Sequence, residues 1–253
     1  MTLDGRTALI TGGGRGIGRA IAHRLAKAGA RVVLIGRTEA EITKVARETG
    51  GIPVVADLAD RRSTDLAIES LSRSERVLDI LVNNAGIAES APLERSDDEM
   101  WDRQMEINAT SAFRLCRAFV PAMVKKGWGR VINVASNAGL TGYPYTAAYC
   151  ASKAAMIGMT RALAVDLAKT GVTMNAVCPG WVETRMSGEA IERIVRKTGR
   201  TEAEARAALE KMSPQGRMID PDEVALVVAM LCEERARGIN GQAIVVDGGQ
   251  VMK

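Results

Sequence analysis

The chain has one histidine, His23, and four cysteines, Cys116, Cys150, Cys178 and Cys232, in 253 residues. The cysteines stand singly, with no pair at metal-ligand spacing, so no metal site is expected and reduced thiols are the expected state. Cys150 is expected to be a small helix residue turned away from any site, and His23 a solvated or packing residue. Aromatic side chains make up only 3% of the sequence, which leaves an aliphatic core with alanine and methionine as filler. No apolar run approaches the roughly 20 residues of a membrane span. The start, Met1-Thr2-Leu3-Asp4-Gly5, lacks the cationic segment and apolar stretch of a secretion signal. A cytoplasmic protein is therefore expected. A basic aromatic stripe is missing too: 34 Lys and Arg are interleaved with 30 Asp and Glu, so the net charge of +4 suits anionic small molecules rather than nucleic acid.

The first positive signal is at the N-terminus. Thr7–Ile10 is a short apolar run of strand character, and it leads directly into Thr11-Gly12-Gly13-Gly14-Arg15-Gly16-Ile17-Gly18. Ile21, Ala22, Leu25 and Ala26 then recur at helical spacing. Strand, glycine-rich turn and helix in this order suit a dinucleotide pyrophosphate. Glycines let the backbone approach the phosphates, and the helix N-terminus offers unpaired N–H groups and the positive end of its dipole. The spacing Gly12-x-x-x-Gly16-x-Gly18 differs from the G-x-G-x-x-G fingerprint.

A second signal is the pair Tyr149 and Lys153, with Ser136 thirteen residues before the tyrosine. Positions i and i+4 share a helix face, so the Lys153 ammonium is expected near the Tyr149 phenol, lowering a pKa that is ordinarily about 10. Ser136 adds a hydroxyl able to polarise a carbonyl held beside the tyrosine. The triple suits moving a proton on and off an alcohol oxygen while another group takes the hydride.

Strand-like runs lie at Thr7–Ile10, Arg31–Ile35, Pro53–Ala56, Leu78–Val82, Arg130–Ala135, Thr173–Cys178 and Ala243–Val246. Helical patterns separate them, the clearest at Ile21–Ala28, Asp97–Met123 and Tyr149–Lys169. Continuous apolar strands alternating with amphipathic helices predict an α/β fold: a doubly wound Rossmann-type parallel sheet of about seven strands with helices on both faces. No linker or repeat divides the chain, so residues 1–253 are expected to form a single domain.

These motifs together resemble the short-chain dehydrogenase/reductase family. The matching elements are Thr11-Gly12-x-x-x-Gly16-x-Gly18, Asn83-Asn84-Ala85-Gly86, Asn108, Ser136, Tyr149-x-x-x-Lys153, Pro179-Gly180-x-x-x-Thr184 and Val245-Val246-Asp247-Gly248-Gly249. The resemblance implies that Tyr149 exchanges the proton with the substrate oxygen and that Lys153 lowers the tyrosine pKa and binds the nicotinamide ribose. It implies that Ser136 hydrogen-bonds the reacting oxygen and that Asn108 supports a water chain to Lys153. Without the resemblance, Asn108 reads as a helix kink or a buried polar group. The implied cofactor site comprises Thr11, Gly12, Gly14, Arg15, Gly16, Ile17 and Gly18 around the phosphates. Asp57 matches the position facing the adenine amino group, with Leu58 beside it, and Asn84, Ala85 and Gly86 line the ribose side. Pro179, Gly180, Val182 and Thr184 stand on the nicotinamide side, joined there by Tyr149 and Lys153. The stretch 186–217 falls where the family carries its helical substrate lid, and the family commonly forms homotetramers, here through the long helices and the segment Asp247–Lys253.

Cofactor choice is read at the end of the second strand. An NAD-selective site typically places a carboxylate there; here Gly36 stands in that place and Arg37 follows, with Arg15 offering a second guanidinium. Arginine matches phosphate by charge-assisted hydrogen bonds, so NADP(H) is expected. Glu39 or Glu41 would be the determinants were NAD(H) preferred.

The resemblance is to 3-oxoacyl thioester reductases, including the polyketide ketoreductase branch, and to hydroxyacyl or hydroxybutyrate dehydrogenases. The expected reaction is reduction of a 3-oxoacyl thioester carried by CoA or a carrier protein. Oxidation of a small hydroxy acid or hydroxyacyl-CoA, such as 3-hydroxybutyrate, is the alternative, and a non-catalytic cofactor-binding module is a remote one. Carrier-protein reductases of this kind often carry arginines where this chain has Gly127 and Thr170; Lys125, Lys126 and Lys169 lie nearby. In the lid, Arg185, Arg193, Arg196, Lys197 and Arg200 either meet a CoA phosphate or acid, or form a solvated helix face.

Overall fold

Leu9, Val33, Leu81 and Val131 pack to one side of a sheet, while Ile10, Leu34, Val82 and Ile132 pack to the other. Both sets are fully buried, which is why each run is apolar throughout rather than alternating. The computed structural model describes residues 2–73 and 78–252. Its strands are β1 (Thr7–Thr11), β2 (Arg31–Gly36), β3 (Ile52–Val55), β4 (Ile80–Asn83), β5 (Gly129–Val134), β6 (Val172–Pro179) and β7 (Ala243–Val246). They form one sheet in the order β3-β2-β1-β4-β5-β6-β7, with every pairing parallel. The expected Rossmann-type architecture is thus found, with strand ends moved by a residue or two. The third run begins at Ile52 and the fourth at Ile80, because ladder partners rather than apolar content set the ends.

The helices are α1 (Gly16–Lys27), α2 (Glu39–Thr49), α3 (Arg61–Arg73), α4 (Asp98–Met105), α5 (Ser111–Lys126), α6 (Ala147–Leu167), α7 (Arg185–Thr198), α8 (Glu202–Glu210) and α9 (Pro221–Leu231). One face of the sheet is covered by α1 and α9 through Ile21, Leu25, Val224 and Val228. The other is covered by α3 and α5 through Leu71, Leu115, Phe119 and Met123. Among the described residues no helix is long and apolar enough to cross a membrane.

The expected single helix Asp97–Met123 is corrected. Asp97 is a cap, its carboxylate accepting Met100 N at 2.8 Å. Beyond α4 the chain opens into a π-turn, Glu106–Thr110, before resuming as α5. Wide turns of this kind concentrate at functional positions, and Asn108 sits at the centre of this one.

The sheet's N-terminal edge is anchored by charge. Asp79, whose side chain is 2% exposed, accepts Thr7 N at 2.9 Å and Arg6 Nη1 at 3.1 Å and pairs with Lys126. Arg6 and Arg130 both stack on Trp128, and Arg130 also pairs with Glu234.

Candidate active site

Strand order reverses between β1 and β4, and a crevice opens there at the carboxyl ends of the strands. The two strand ends are cross-tied. Thr11 Oγ1 accepts the N–H groups of Asn84 and Ala85, each at 2.9 Å. Asn84 Nδ2 donates back to Thr11 O at 2.9 Å and Gly12 O at 3.3 Å. The glycine loop turns through left-handed residues, Gly12 at φ +65° and Gly16 at φ +50°, and α1 starts directly from it. A Cβ on Gly18 would lie 2.2 Å from Gly12 O and 2.6 Å from Asn84 Nδ2. The backbone is packed tightly behind a bare loop at a helix N-terminus. That is a cradle for phosphate oxygens, and the residues fit a dinucleotide cofactor.

A cleft of about 390 Å³ runs over this loop. It gathers Gly12, Gly14, Arg15, Gly16, Ile17, Gly18, Arg37, Asp57, Leu58, Asn84, Ala85, Gly86 and Thr184 from the expected cofactor set. Thr11 lies just behind it, buried. Pro179, Gly180, Val182, Tyr149 and Lys153 do not line it. Pro179 O is 3.5 Å from Ser136 Oγ, Gly180 is pressed against Asp247, and Val182 is buried in a bridge to Ile219. At the cleft's far end Arg37 is exposed, while Arg15 Nη1 pairs with Glu41 Oε1 at 3.4 Å. Glu41 thus shares the pocket with both arginines.

Sequence reasoning did not single out Ile87, Ala88, Glu89, Ile107 or Glu189, which also line the cleft. Glu89 is held by a two-pronged bond from Arg103, at 2.8 and 2.7 Å, which keeps its carboxyl below the usual range. The only available signal was that Ile87–Glu89 follow Asn83-Asn84-Ala85-Gly86. Of the lid cations, Arg185 and Arg193 line the cleft, Arg185 paired with Glu189 at 2.9 Å; Arg196, Lys197 and Arg200 are exposed.

The structure brings Ser136, Tyr149 and Lys153 together where β5 and β6 end. Ser136 Oγ accepts Ala138 N at 3.1 Å, capping a short turn, and donates to Pro179 O at 3.5 Å; it stands close enough to the Tyr149 phenol to lower its pKa. Lys153, on α6 one turn after Tyr149, is buried, with Nζ donating to Val134 O at 2.9 Å. Nζ lies over the Tyr149 ring, 6.0 Å from its centroid. The expectation that Lys153 holds the phenol below its ordinary value is corrected: burial raises Tyr149, and it is the Ser136 hydrogen bond that pulls it down. Lys153 is itself lowered to about 8, because burial penalises its charge.

Asn108 is fully buried, and its amide is spent on protein groups. Oδ1 accepts Ile87 N at 2.8 Å, and Nδ2 donates to Ile87 O at 3.0 Å and Ser152 Oγ at 2.9 Å. It therefore clasps the loop after β4 to α6, and a Cβ on the intervening Gly86 would come within 3.0 Å of its Oδ1. His23 lies on the surface, 3.0 Å from Glu48. Among the described residues no group of His, Cys, Asp and Glu is placed to hold a metal.

Residues 12–250 match a family model described as enoyl-(acyl carrier protein) reductase. D-beta-hydroxybutyrate dehydrogenase of Cupriavidus necator is 40% identical, over 98% of this chain and 99% of its own length. The 3-oxoacyl-(acyl-carrier-protein) reductase FabG of Vibrio cholerae is 38% identical over the whole of both chains. Among solved structures, actinorhodin polyketide ketoreductase with NADPH superposes with a TM-score of 0.92 at 36% identity, covering 97% of each chain.

Proposed function

The chain belongs to the short-chain dehydrogenase/reductase family, and from that premise we propose that it reduces the ketone of a 3-oxoacyl thioester to a secondary alcohol with NADP(H). The observation that carries the reading is the Ser136 hydroxyl beside the Tyr149 phenol and buried Lys153, next to a cleft whose glycine loop fits a dinucleotide.

When bound, the nicotinamide cofactor supplies the hydride. The protein's residues do the rest. Ser136 and Tyr149 hold the ketone oxygen between two hydroxyls, and Tyr149 gives its proton to that oxygen as the alcohol forms. Burial keeps the phenol protonated and thus ready to donate. Lys153 positions the nicotinamide ribose and places positive charge beside the phenolate that results. Asn108 fixes α6 against the loop after β4, so the groups keep their spacing. Arg37 and Arg15 receive the 2′-phosphate at the cleft's outer end.

A CoA thioester is favoured over a carrier protein. Gly127 and Thr170 stand where carrier-protein reductases of this kind often carry arginines, and Lys126, one of the cations that would replace them, is bound to Asp79. Arg193, half-buried in the cleft wall, is the lid cation placed for an anionic substrate. The segment 186–217, carrying most of α7 and all of α8, acts as the lid over a single catalytic domain, and the protein works as a cytoplasmic homotetramer. A second reading, oxidation of 3-hydroxybutyrate, is favoured by the 40% identical relative.

Loss of absorbance at the reduced-nicotinamide wavelength with a 3-oxoacyl-CoA tests the reduction, and 3-hydroxybutyrate with oxidised cofactor tests the second reading. Tyr149→Phe is expected to cut turnover at least a hundredfold and to leave NADPH binding nearly unchanged. Near-normal turnover in this variant at saturating substrate would remove Tyr149 as the proton donor.

A further inference from the structure

Beside Ser136 lies a chain of polar side chains whose directions are all set by one carboxylate. Asp247 is 4% exposed, and as a carboxylate it can only accept. Its oxygens take the backbone N–H groups of Gly249 and Gln250, each at 3.0 Å, and of Val251 at 2.9 Å. Oδ2 also takes Asn137 Nδ2 at 3.1 Å, so the atom Asn137 turns this way must be its nitrogen. That nitrogen lies 3.3 Å from Gln250 Oε1, which must accept. Gln250 Nε2 is thereby turned to the Tyr143 hydroxyl, 2.9 Å away, and the phenolic oxygen must accept as well.

The Tyr143 proton is left as the outlet of this chain, with no acceptor among the described residues. Tyr143 is half-buried, and its pKa is pushed up to about 12 by burial and by the Asp247 charge, so the proton stays on. Its position matters. Asn137 directly follows Ser136, and Tyr143 lies on the connection between Ser136 and Tyr149. Consecutive residues thus face two tyrosine hydroxyls: Ser136 stands beside Tyr149, and Asn137 acts on Tyr143 both directly and through Gln250.

We propose that Tyr143 is a specificity-determining residue whose hydroxyl donates to a second substrate oxygen, the thioester carbonyl or carboxylate one methylene away from the reacting ketone. The inference rests on the carbonyl reduction assigned to Tyr149. A half-buried hydroxyl whose proton has no acceptor among the described residues favours ligands that bring one and discriminates against those that do not. The C-terminal turn 247–251 then has a function: through Gln250 it orients the specificity group.

The test compares wild type, Tyr143→Phe and Gln250→Glu on acetoacetyl-CoA, acetoacetate and a plain ketone of matched length, all with NADPH. Tyr143→Phe is expected to lower kcat/KM about tenfold, mainly through KM, on the substrates with a second oxygen, and to leave the plain ketone within about twofold. A loss confined to acetoacetyl-CoA assigns the thioester carbonyl as the partner, and one confined to acetoacetate assigns the carboxylate. Gln250→Glu keeps the ring but supplies an acceptor for its proton, so it should reproduce the same selective loss. Equal losses on all three substrates, no loss on any, or wild-type behaviour of Gln250→Glu would overturn the assignment. A wild type that turns over none of the three would instead sink the reading on which it rests, and is seen before any variant is made.

Discussion

Lys153 carries an energetic penalty that its place in the site demands. Burial lowers it from the ordinary 10.5 to about 8. Below pH 8 both folded and unfolded chains hold the proton, and the folded state bears the full cost of a buried charge. Between about 8 and 10.5 only the folded chain releases it, so this residue makes stability rise with pH. The stability of wild type relative to Lys153→Met should therefore climb by up to about 3 kcal/mol across that window, as read by urea denaturation of both proteins. Cys116 and Cys232, both raised to about 12, act in the opposite direction above pH 9 and cancel in the comparison; Cys178, raised to about 11 although the Lys153 charge lowers it in part, does not cancel fully. A flat difference would mean that Lys153 is more hydrated than its surroundings suggest. At the cleft's other end, Glu41 competes for Arg15 across 3.4 Å. Glu41→Gln should raise the preference for NADPH over NADH up to about fivefold, the scale of an exposed ion pair. Arg37→Ala should lower it at least tenfold, the scale of a charged hydrogen bond. The ratio of kcat/KM values for the two cofactors checks both, and a wild type preferring NADH would contradict the assignment of Arg37.

At the scale of elements, the π-turn Glu106–Thr110 is the feature with most consequence. An uninterrupted α4–α5 helix would carry Asn108 differently with respect to the loop after β4; the wide turn delivers its amide to both backbone groups of Ile87 and to Ser152 on α6. Asn108→Ala removes three hydrogen bonds, one buried and two part-buried, and takes from both backbone groups of Ile87 their side-chain partner, while Ser152 Oγ keeps its bond to Tyr149 O. It should cost about 2–4 kcal/mol and lower turnover along with stability. An unchanged denaturation midpoint would show that the turn is held by its own backbone instead. The sequence held one clue to this, a buried-type asparagine inside an apolar helical pattern, but a kink, a buried polar group and a functional turn all have that appearance.

At the scale of the whole molecule, the two edges of the sheet divide the labour. One edge buries Asp79 among Arg6, Lys126 and Thr7; the other presents the glycine loop, the hydroxyl pair and α7. Outside the sheet, Trp101 on α4, Phe113 on α5 and Val165 on α6 are large apolar groups left exposed. Such groups suit an interface between copies, and light scattering at micromolar concentration should report four chains; a stable monomer would reject the assembly. Hydrogen exchange should show α7 and α8 gaining protection when NADP and product are added together. Equal protection with and without them would reject the lid. Lys253, the last residue of the segment expected to support assembly, lies outside the described residues.

What the sequence determined by itself is what depends on spacing along the chain. Apolar runs a few residues long, separated by helical periods, specify parallel strands covered on both faces, because each backbone period puts particular side chains on particular sides. Tyr149 and Lys153 are neighbours as soon as α6 exists, and Gly12, Gly16 and Gly18 predict a bare loop before α1. Tertiary structure alone decided the contacts between segments far apart in sequence: Asn108 with Ile87 and Ser152, Lys126 with Asp79, and Asn137 with Asp247 across 110 residues. It also decided the pKa directions. Proximity on a helix predicted a lowered phenol, whereas desolvation, which depends on everything packed around a group, raised it and lowered the lysine beside it. Spacing is local and can be counted along a chain; burial and hydrogen-bond direction belong to the assembled whole.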